Sequence, residues 1–101
     1  MLGVFYMYSS IDGKKLKGLI GLVNIIDVRE SYLYKLGNVP TSKNIPVNMI
    51  CSNYKSLFNH EDTYYIYCSY GFSSAKVCNY LSNMGYKVVN VIGGYSGFLN
   101  S

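Results

Sequence analysis

The chain has no tryptophan, one arginine (Arg29), one histidine (His60) and two prolines, and only 14% of its 101 residues are charged. Each scarcity removes a class of function. Nucleic-acid binders gather lysine and arginine on one face, with aromatics ready to stack. Here the lysines are scattered, apart from Lys14, Lys15 and Lys17, and the net charge is +4. A mildly basic solvated surface is expected, with no nucleic-acid partner. No apolar run is long enough to span a bilayer, because Gly21, Asn24 and Asp27 interrupt Leu19–Val28. The first ten residues show neither a basic region nor a clear cleavage site, so no signal peptide is read. No membrane partner is expected, and the cytoplasm is the expected location. Three cysteines, an odd number with no C-x-x-C, argue against a disulfide framework. Their spacing also fits no common zinc pattern.

What is present is ordinary for a small globular protein. Half of the residues are apolar, and the length has room for one domain over residues 1–101, with its core at about residues 10–98. Twelve tyrosines read as compositional bias and carry no functional inference. Strand-like and helix-like stretches alternate along the chain. Phe5–Tyr8 is a short apolar run, and Ser10 or Asp12 can cap a helix carrying Leu16, Leu19 and Ile20 on one side. The β-branched run Val23–Val28 reads as a buried parallel strand. Arg29–Leu36 reads as a short helix ended by Gly37.

Asn38–Pro46 reads as a loop, followed by a helix over about Val47–Phe58. Tyr64–Cys68 reads as a second buried strand. Ser74–Met84, with Ala75, Cys78 and Leu81 at helical spacing, reads as a helix stopped by Gly85. Tyr86–Ile92 then reads as a strand, Gly93-Gly94 as a turn and Tyr95–Leu99 as a last helical turn. Strands alternating with short helices predict an α/β domain around a parallel sheet.

The chemistry concentrates in Cys68-Ser69-Tyr70-Gly71-Phe72-Ser73-Ser74, where a buried strand ends at a cysteine and a tight loop leads into a helix. That order puts the thiol at the carboxyl edge of a parallel sheet, where ligands bind in open α/β folds. Backbone N–H groups of residues 69–74 can curl around the sulfur, and the helix N-terminus adds partial positive charge. Both favour the thiolate, the nucleophilic form. A buried cysteine serving as a small hydrophobe gives the same local pattern, so the loop alone leaves both readings open. Cys51, among Met49, Ile50 and Leu57, and Cys78, on the apolar helix face, fit that second role.

Four segments in register add to this. Asp27-Val28-Arg29-Glu30, then Gly37-Asn38-Val39-Pro40-Thr41-Ser42-Lys43-Asn44-Ile45-Pro46, then Cys68 to Ser74, then Gly93-Gly94 resemble the rhodanese family. The family's corresponding runs are D-V-R-E, G-H-I-P-G-A-x-N-I-P, C-x-x-G-x-R-S and G-G. The resemblance extends from about Ser10 to Phe98. It implies a three-layer α/β fold in which a mainly parallel five-stranded sheet is flanked by helices. It further implies a sulfurtransferase with Cys68 as the catalytic residue, and with Ser69, Tyr70, Gly71, Phe72, Ser73 and Ser74 forming the substrate-binding loop. The implied partners are a small anionic or persulfide sulfur donor and a thiol- or cyanide-type acceptor, with no metal and no organic cofactor. Four residues between Cys68 and Ser73 match the sulfur-sized loop rather than the five-residue loop of the related phosphatases.

Ser73 stands where active members commonly carry arginine, and Ser69 where many carry another basic residue. A guanidinium would hold both the thiolate and an anionic donor through paired hydrogen bonds, whereas serine brings one donor and no charge. Slow turnover with thiosulfate is therefore expected. The alternative function is a catalytically weak binding or regulatory module on the same fold. Asn38, Thr41 and Ser42 replace the family's histidine, glycine and alanine as scaffold differences. Lys76 reads as solvated, His60 as a surface residue, and Asp27 with Arg29 as a tie between strand ends. Gly71 reads as a backbone requirement, and Tyr70 and Phe72 as the mouth of the pocket. A monomer or a weak homodimer is expected.

Overall fold

A computed structural model describes residues 8–101; of the apolar run Phe5–Tyr8, all but Tyr8 lies outside the described residues. The elements, in chain order, are β1 (Ser9–Asp12), α1 (Gly13–Lys17), β2 (Asn24–Asp27), α2 (Ser31–Leu36), β3 (Lys43–Asn44), α3 (Val47–Leu57), β4 (Thr63–Tyr67), α4 (Phe72–Asn83), β5 (Lys87–Ile92) and α5 (Gly94–Leu99). The strands form one five-stranded sheet in the order β1-β5-β4-β2-β3. Every pairing among them is parallel, so the expected "mainly parallel" sheet is parallel throughout the described residues.

The alternation of the strands sorts side chains into two layers. On one face Ile26, Ile66 and Val88 meet Ile50 and Phe58 at either end of α3 and Val77, Cys78 and Leu81 of α4. On the other face Ile25, Tyr67 and Val91 meet Leu16 of α1 and Phe98 of α5. Full burial of each such Ile, Leu or Val side chain contributes about 1.5–3 kcal/mol. The helix α4 can sit flat because Val77, Cys78 and Leu81 recur at helical spacing and are all buried. It ends where Gly85 takes φ +88°, a left-handed value that favours glycine.

Two strands differ from the sequence reading. Ser9–Asp12, read only for its capping residues, is an edge strand paired to β5 from Ser9↔Val89 to Asp12↔Ile92. Asp12 does cap α1 as well, accepting from the Lys15 amide at 2.9 Å. Lys43–Asn44, read as loop, forms a two-residue strand beside β2. It is fastened by Asn44, whose amide donates to the carbonyls of Asp27 and Arg29 at 3.0 and 2.9 Å. The helix α3 is kinked at Asn53, which leaves helical geometry at φ −134°, ψ 18°. Cys51 is exposed, which corrects its reading as a core residue. The face of α3 toward the core runs through Ile50 and partly buried Tyr54 to Phe58 just past its end, and the residue after Ile50 turns about 100° away from it. No helix among the described residues is long and apolar enough to cross a membrane.

Candidate active site

The central strand β4 ends at Tyr67, and Cys68 follows at the carboxyl edge of the sheet. Cys68 is 6% exposed and forms part of the wall of an open cleft of about 840 Å³. Ser69, Tyr70, Phe72 and Ser73 line the same cleft, facing Val28, Arg29, Glu30, Tyr32, Leu33, Pro46 and Val47 from the ends of β2, α2 and α3. Gly71 and Ser74 are buried beneath it. The expected loop is therefore assembled at one place, with four residues at the rim and two underneath.

Main-chain amides of the loop aim at the sulfur. Gly71 N–H donates to Sγ at 3.1 Å and Ser74 N–H at 3.2 Å. Ser74 Oγ lies 3.2 Å from Sγ. Ser69, Phe72 and Ser73 line the cleft without a hydrogen bond to Sγ, so the ring of donors is smaller than residues 69–74 as a whole. Gly71 makes the turn possible. It holds φ +98°, and a Cβ there would come within 2.9 Å of the Gly93 nitrogen. It also leaves the first turn of α4 with free amides to present to the sulfur.

Burial by itself pushes the Cys68 thiol up. The Ser74 hydroxyl and the amides of Ser74, Gly71 and Tyr70 outweigh it, and the net direction is down from the ordinary 9.0. Cys78 has no such donors. It is wholly buried, and burial, with a smaller contribution from nearby Cys68, pushes it up to about 12. Cys68 is thus both set in a cleft and held toward its anionic form, whereas Cys78 is buried and held protonated.

The glycine pair closes the site from the far side. The N-terminus of α5 hydrogen-bonds the loop directly, with Tyr95 N–H donating to the Cys68 carbonyl at 2.8 Å and Ser96 N–H to the Ser69 carbonyl at 3.0 Å. Gly94 sits at φ +59°, and any Cβ there would collide with the Cys68 carbonyl oxygen and meet the Ser69 carbonyl at 2.7 Å. Gly93-Gly94 is thus the seat on which the cysteine's own backbone rests.

Arg29 does not serve the sulfur. Its Nη2 meets Asp27 Oδ2 at 2.7 Å, its Nε lies 3.0 Å from the same oxygen, and Nη2 also donates to the Gly37 carbonyl at 2.7 Å. The guanidinium lies over the Tyr95 ring at 4.4 Å, among side chains of the face opposite the Cys68 side chain. Burial works against its charge, but Asp27 prevails and the Arg29 pKa is raised. Lys76 is exposed and does not line the cleft. His60 lies in a separate groove, stacked on Tyr86 at 4.1 Å with Nδ1 3.1 Å from the Gly85 carbonyl. Among the described residues no three His, Cys, Asp or Glu side chains are grouped to hold a metal ion.

Two contributors escaped the sequence reading. Asn90 is buried in β5 and accepts from the Ser74 hydroxyl at 2.6 Å. Its signal was a lone amide inside Val88-Val89-Asn90-Val91, because a polar group in a buried strand requires a partner. Tyr67, fully buried, accepts from the Val39 amide at 3.0 Å and lies 3.1 Å from Ser42 Oγ, which pins the 38–46 loop beneath the sheet.

A parallel α/β sheet, a cysteine at the tip of its central strand and a short amide-lined turn into a helix define a class of cysteine-centred anion sites. The comparisons with known proteins narrow that class. The Rhodanese-like domain family model matches residues 12–101, and the chain belongs to this family. It is 36% identical over 70 residues to "Putative sulfurtransferase YtwF" of Bacillus subtilis (strain 168), covering 69% of this chain and 67% of that protein. Among solved structures it is similar to a rhodanese-like domain protein from Staphylococcus aureus, at 39% identity and TM-score 0.81 over 89% of this chain and 90% of that one. A rhodanese-related protein from Thermoplasma volcanium matches at 29% identity and TM-score 0.85, with 92% of each chain covered.

Proposed function

We propose that the chain is a sulfurtransferase that carries a sulfane sulfur as a persulfide on Cys68. One observation carries the reading: Cys68 Sγ lies in the wall of the cleft and receives the amides of Gly71 and Ser74. Membership of the rhodanese-like family and the sulfurtransferase name of the Bacillus relative support it. With thiosulfate, the Cys68 thiolate attacks the outer sulfur. A new S–S bond forms to Cys68, the old one breaks, and sulfite leaves with its electron pair. Cyanide or a thiolate then attacks the outer sulfur of the persulfide and carries it off, and the electron pair returns to Cys68. The amides that hold the thiolate are also suited to the anionic persulfide.

The cleft favours a persulfide donor over thiosulfate. The charged residues among its lining are Arg29, whose guanidinium is bound to Asp27 on the other face, and Glu30, whose negative charge at the cleft wall disfavours a dianion. Its rim is largely apolar, with Tyr70 and Phe72 standing 67% and 78% exposed. Low-molecular-weight or protein-bound persulfides fit that lining, and a cytoplasmic monomer or weak dimer remains our reading of its setting. The same exposed aromatics, together with serine at position 73, favour the second reading, a binding module with weak catalysis.

The test is sulfur loading. Incubated with glutathione persulfide, the protein is expected to gain the mass of one sulfur, cyanide is expected to remove it, and Cys68→Ser is expected to gain none. A protein that never loads, under donors that load an arginine-containing relative, establishes the binding module instead. Loading that survives Cys68→Ser moves the chemistry elsewhere.

A further inference from the structure

The hydroxyl of Ser74 has one proton and two claimants. Ser74 Oγ is 2.6 Å from Asn90 Oδ1 and 3.2 Å from Cys68 Sγ. The orientation of the Asn90 amide follows from its other end, because Nδ2 faces the Gly71 carbonyl at 3.3 Å and a carbonyl can only accept. The oxygen of Asn90 therefore faces Ser74 and accepts its hydrogen bond. Ser74 Oγ then turns a lone pair to the sulfur and accepts from the Cys68 thiol. The chain runs from S–H through O–H to the amide oxygen, and Ser74 and Asn90 are 0% and 5% exposed, with no bulk water to substitute.

When Cys68 loses its proton the chain must reverse. The thiolate has nothing to donate and asks for the Ser74 proton, and granting it strips the buried Asn90 oxygen of its donor. A sulfur that already carries a second sulfur is neutral at Sγ and makes no such demand, so the Ser74 proton stays with Asn90. We propose that Asn90 is a positioning residue that competes with the Cys68 thiolate for the Ser74 hydroxyl, weakening without abolishing the support that hydroxyl gives the bare thiolate relative to the thiol and the sulfur-loaded cysteine. The inference rests on Cys68 being the reactive sulfur. The groups around Sγ that titrate or carry charge are Cys78, buried and protonated at neutral pH, and at the cleft wall Glu30 and the paired Arg29. Asn90 acts on Cys68 only through Ser74 and the loop.

The effect is read as the rate of Cys68 alkylation by iodoacetamide at neutral pH, in a Cys51→Ser background, which requires no sulfur donor. Failure of sulfur transfer and failure of this inference are therefore separable. Asn90→Val suits a buried strand and removes the competing acceptor. Freeing a hydrogen bond for a charged sulfur is expected to speed alkylation about threefold, once the weaker nucleophilicity of a more acidic thiol is allowed for. In a Ser74→Ala background the same substitution is expected to leave the rate unchanged. Asn90→Asp keeps the acceptor and is expected to slow alkylation, and by a smaller factor when Ser74 is alanine. A residue that only anchors the loop through Gly71 predicts otherwise. Asn90→Val would then slow or preserve the rate, and Asn90→Asp would act equally with or without the Ser74 hydroxyl. Either outcome overturns the proposal, and the second does so even if the valine variant fails to fold.

Discussion

Asp27 and Cys68 stand near the carboxyl ends of adjacent strands, both buried and both able to carry negative charge, yet the chain treats them differently. Asp27 is wholly buried and answered in full by Arg29, through the guanidinium and through the Arg29 amide at 2.8 Å. Cys68 is answered by neutral dipoles alone, main-chain amides and a shared hydroxyl. A full counter-charge neutralises an anion and makes it scaffold. Dipoles stabilise an anion without neutralising it. The chain places its single arginine on the scaffold.

The largest test of that contrast removes Asp27. Asp27→Ala leaves a buried guanidinium without its partner and is expected to destabilise the fold by about 3–5 kcal/mol, read as a shift of the urea midpoint. A loss below about 1 kcal/mol would mean that the pair is wetter and less structural than its geometry indicates. Next in size is Gly94→Ala. Left-handed backbone and collision with the loop carbonyls are expected to cost about 2–3 kcal/mol, and Cys68 alkylation should slow because the amides above it move. Unchanged alkylation in a destabilised Gly94→Ala protein would detach α5 from the site.

Ser73→Arg sharpens the comparison by giving Cys68 what Asp27 already has. A guanidinium at the cleft is expected to raise thiosulfate turnover on the order of tenfold, equivalent to about 1.4 kcal/mol. No gain would show that binding of the dianion is not what limits the reaction. The smallest effect belongs to Ser42→Ala, beneath the scaffold network. Tyr67 keeps the Val39 amide and loses one hydroxyl contact, so a loss of about 1 kcal/mol is expected in the same denaturation measurement.

The layered α/β architecture was legible because Val23–Val28, Tyr64–Cys68 and Tyr86–Ile92 are short β-branched and aromatic runs set between helical spacings. What escaped was structure made by partners distant in sequence. Ser9–Asp12 has no strand-like alternation and exists as a strand only through its ladder to β5. Lys43–Asn44 is held by side-chain hydrogen bonds that no local pattern announces. The sequence neighbours of Cys51 point to burial, whereas the helix face decides its exposure. At the site, the cysteine, its glycine and its serine-rich turn were visible because they are contiguous. Ser74 belongs to that turn, but its divided hydroxyl depends on Asn90, sixteen residues further on and on the strand that pairs with β4.

Tyr95 and Ser96 grip the carbonyls of Cys68 and Ser69, and this contact sets an order of events during synthesis. The cysteine leaves the ribosome some twenty-five residues ahead of the segment that seats its backbone, and ahead of the strand that brings Asn90. Until residues 87–99 dock, Cys68 is an ordinary thiol in a half-built sheet. If Cys68 carries sulfur as proposed, a nascent or truncated chain lacking β5 and α5 is expected not to load it.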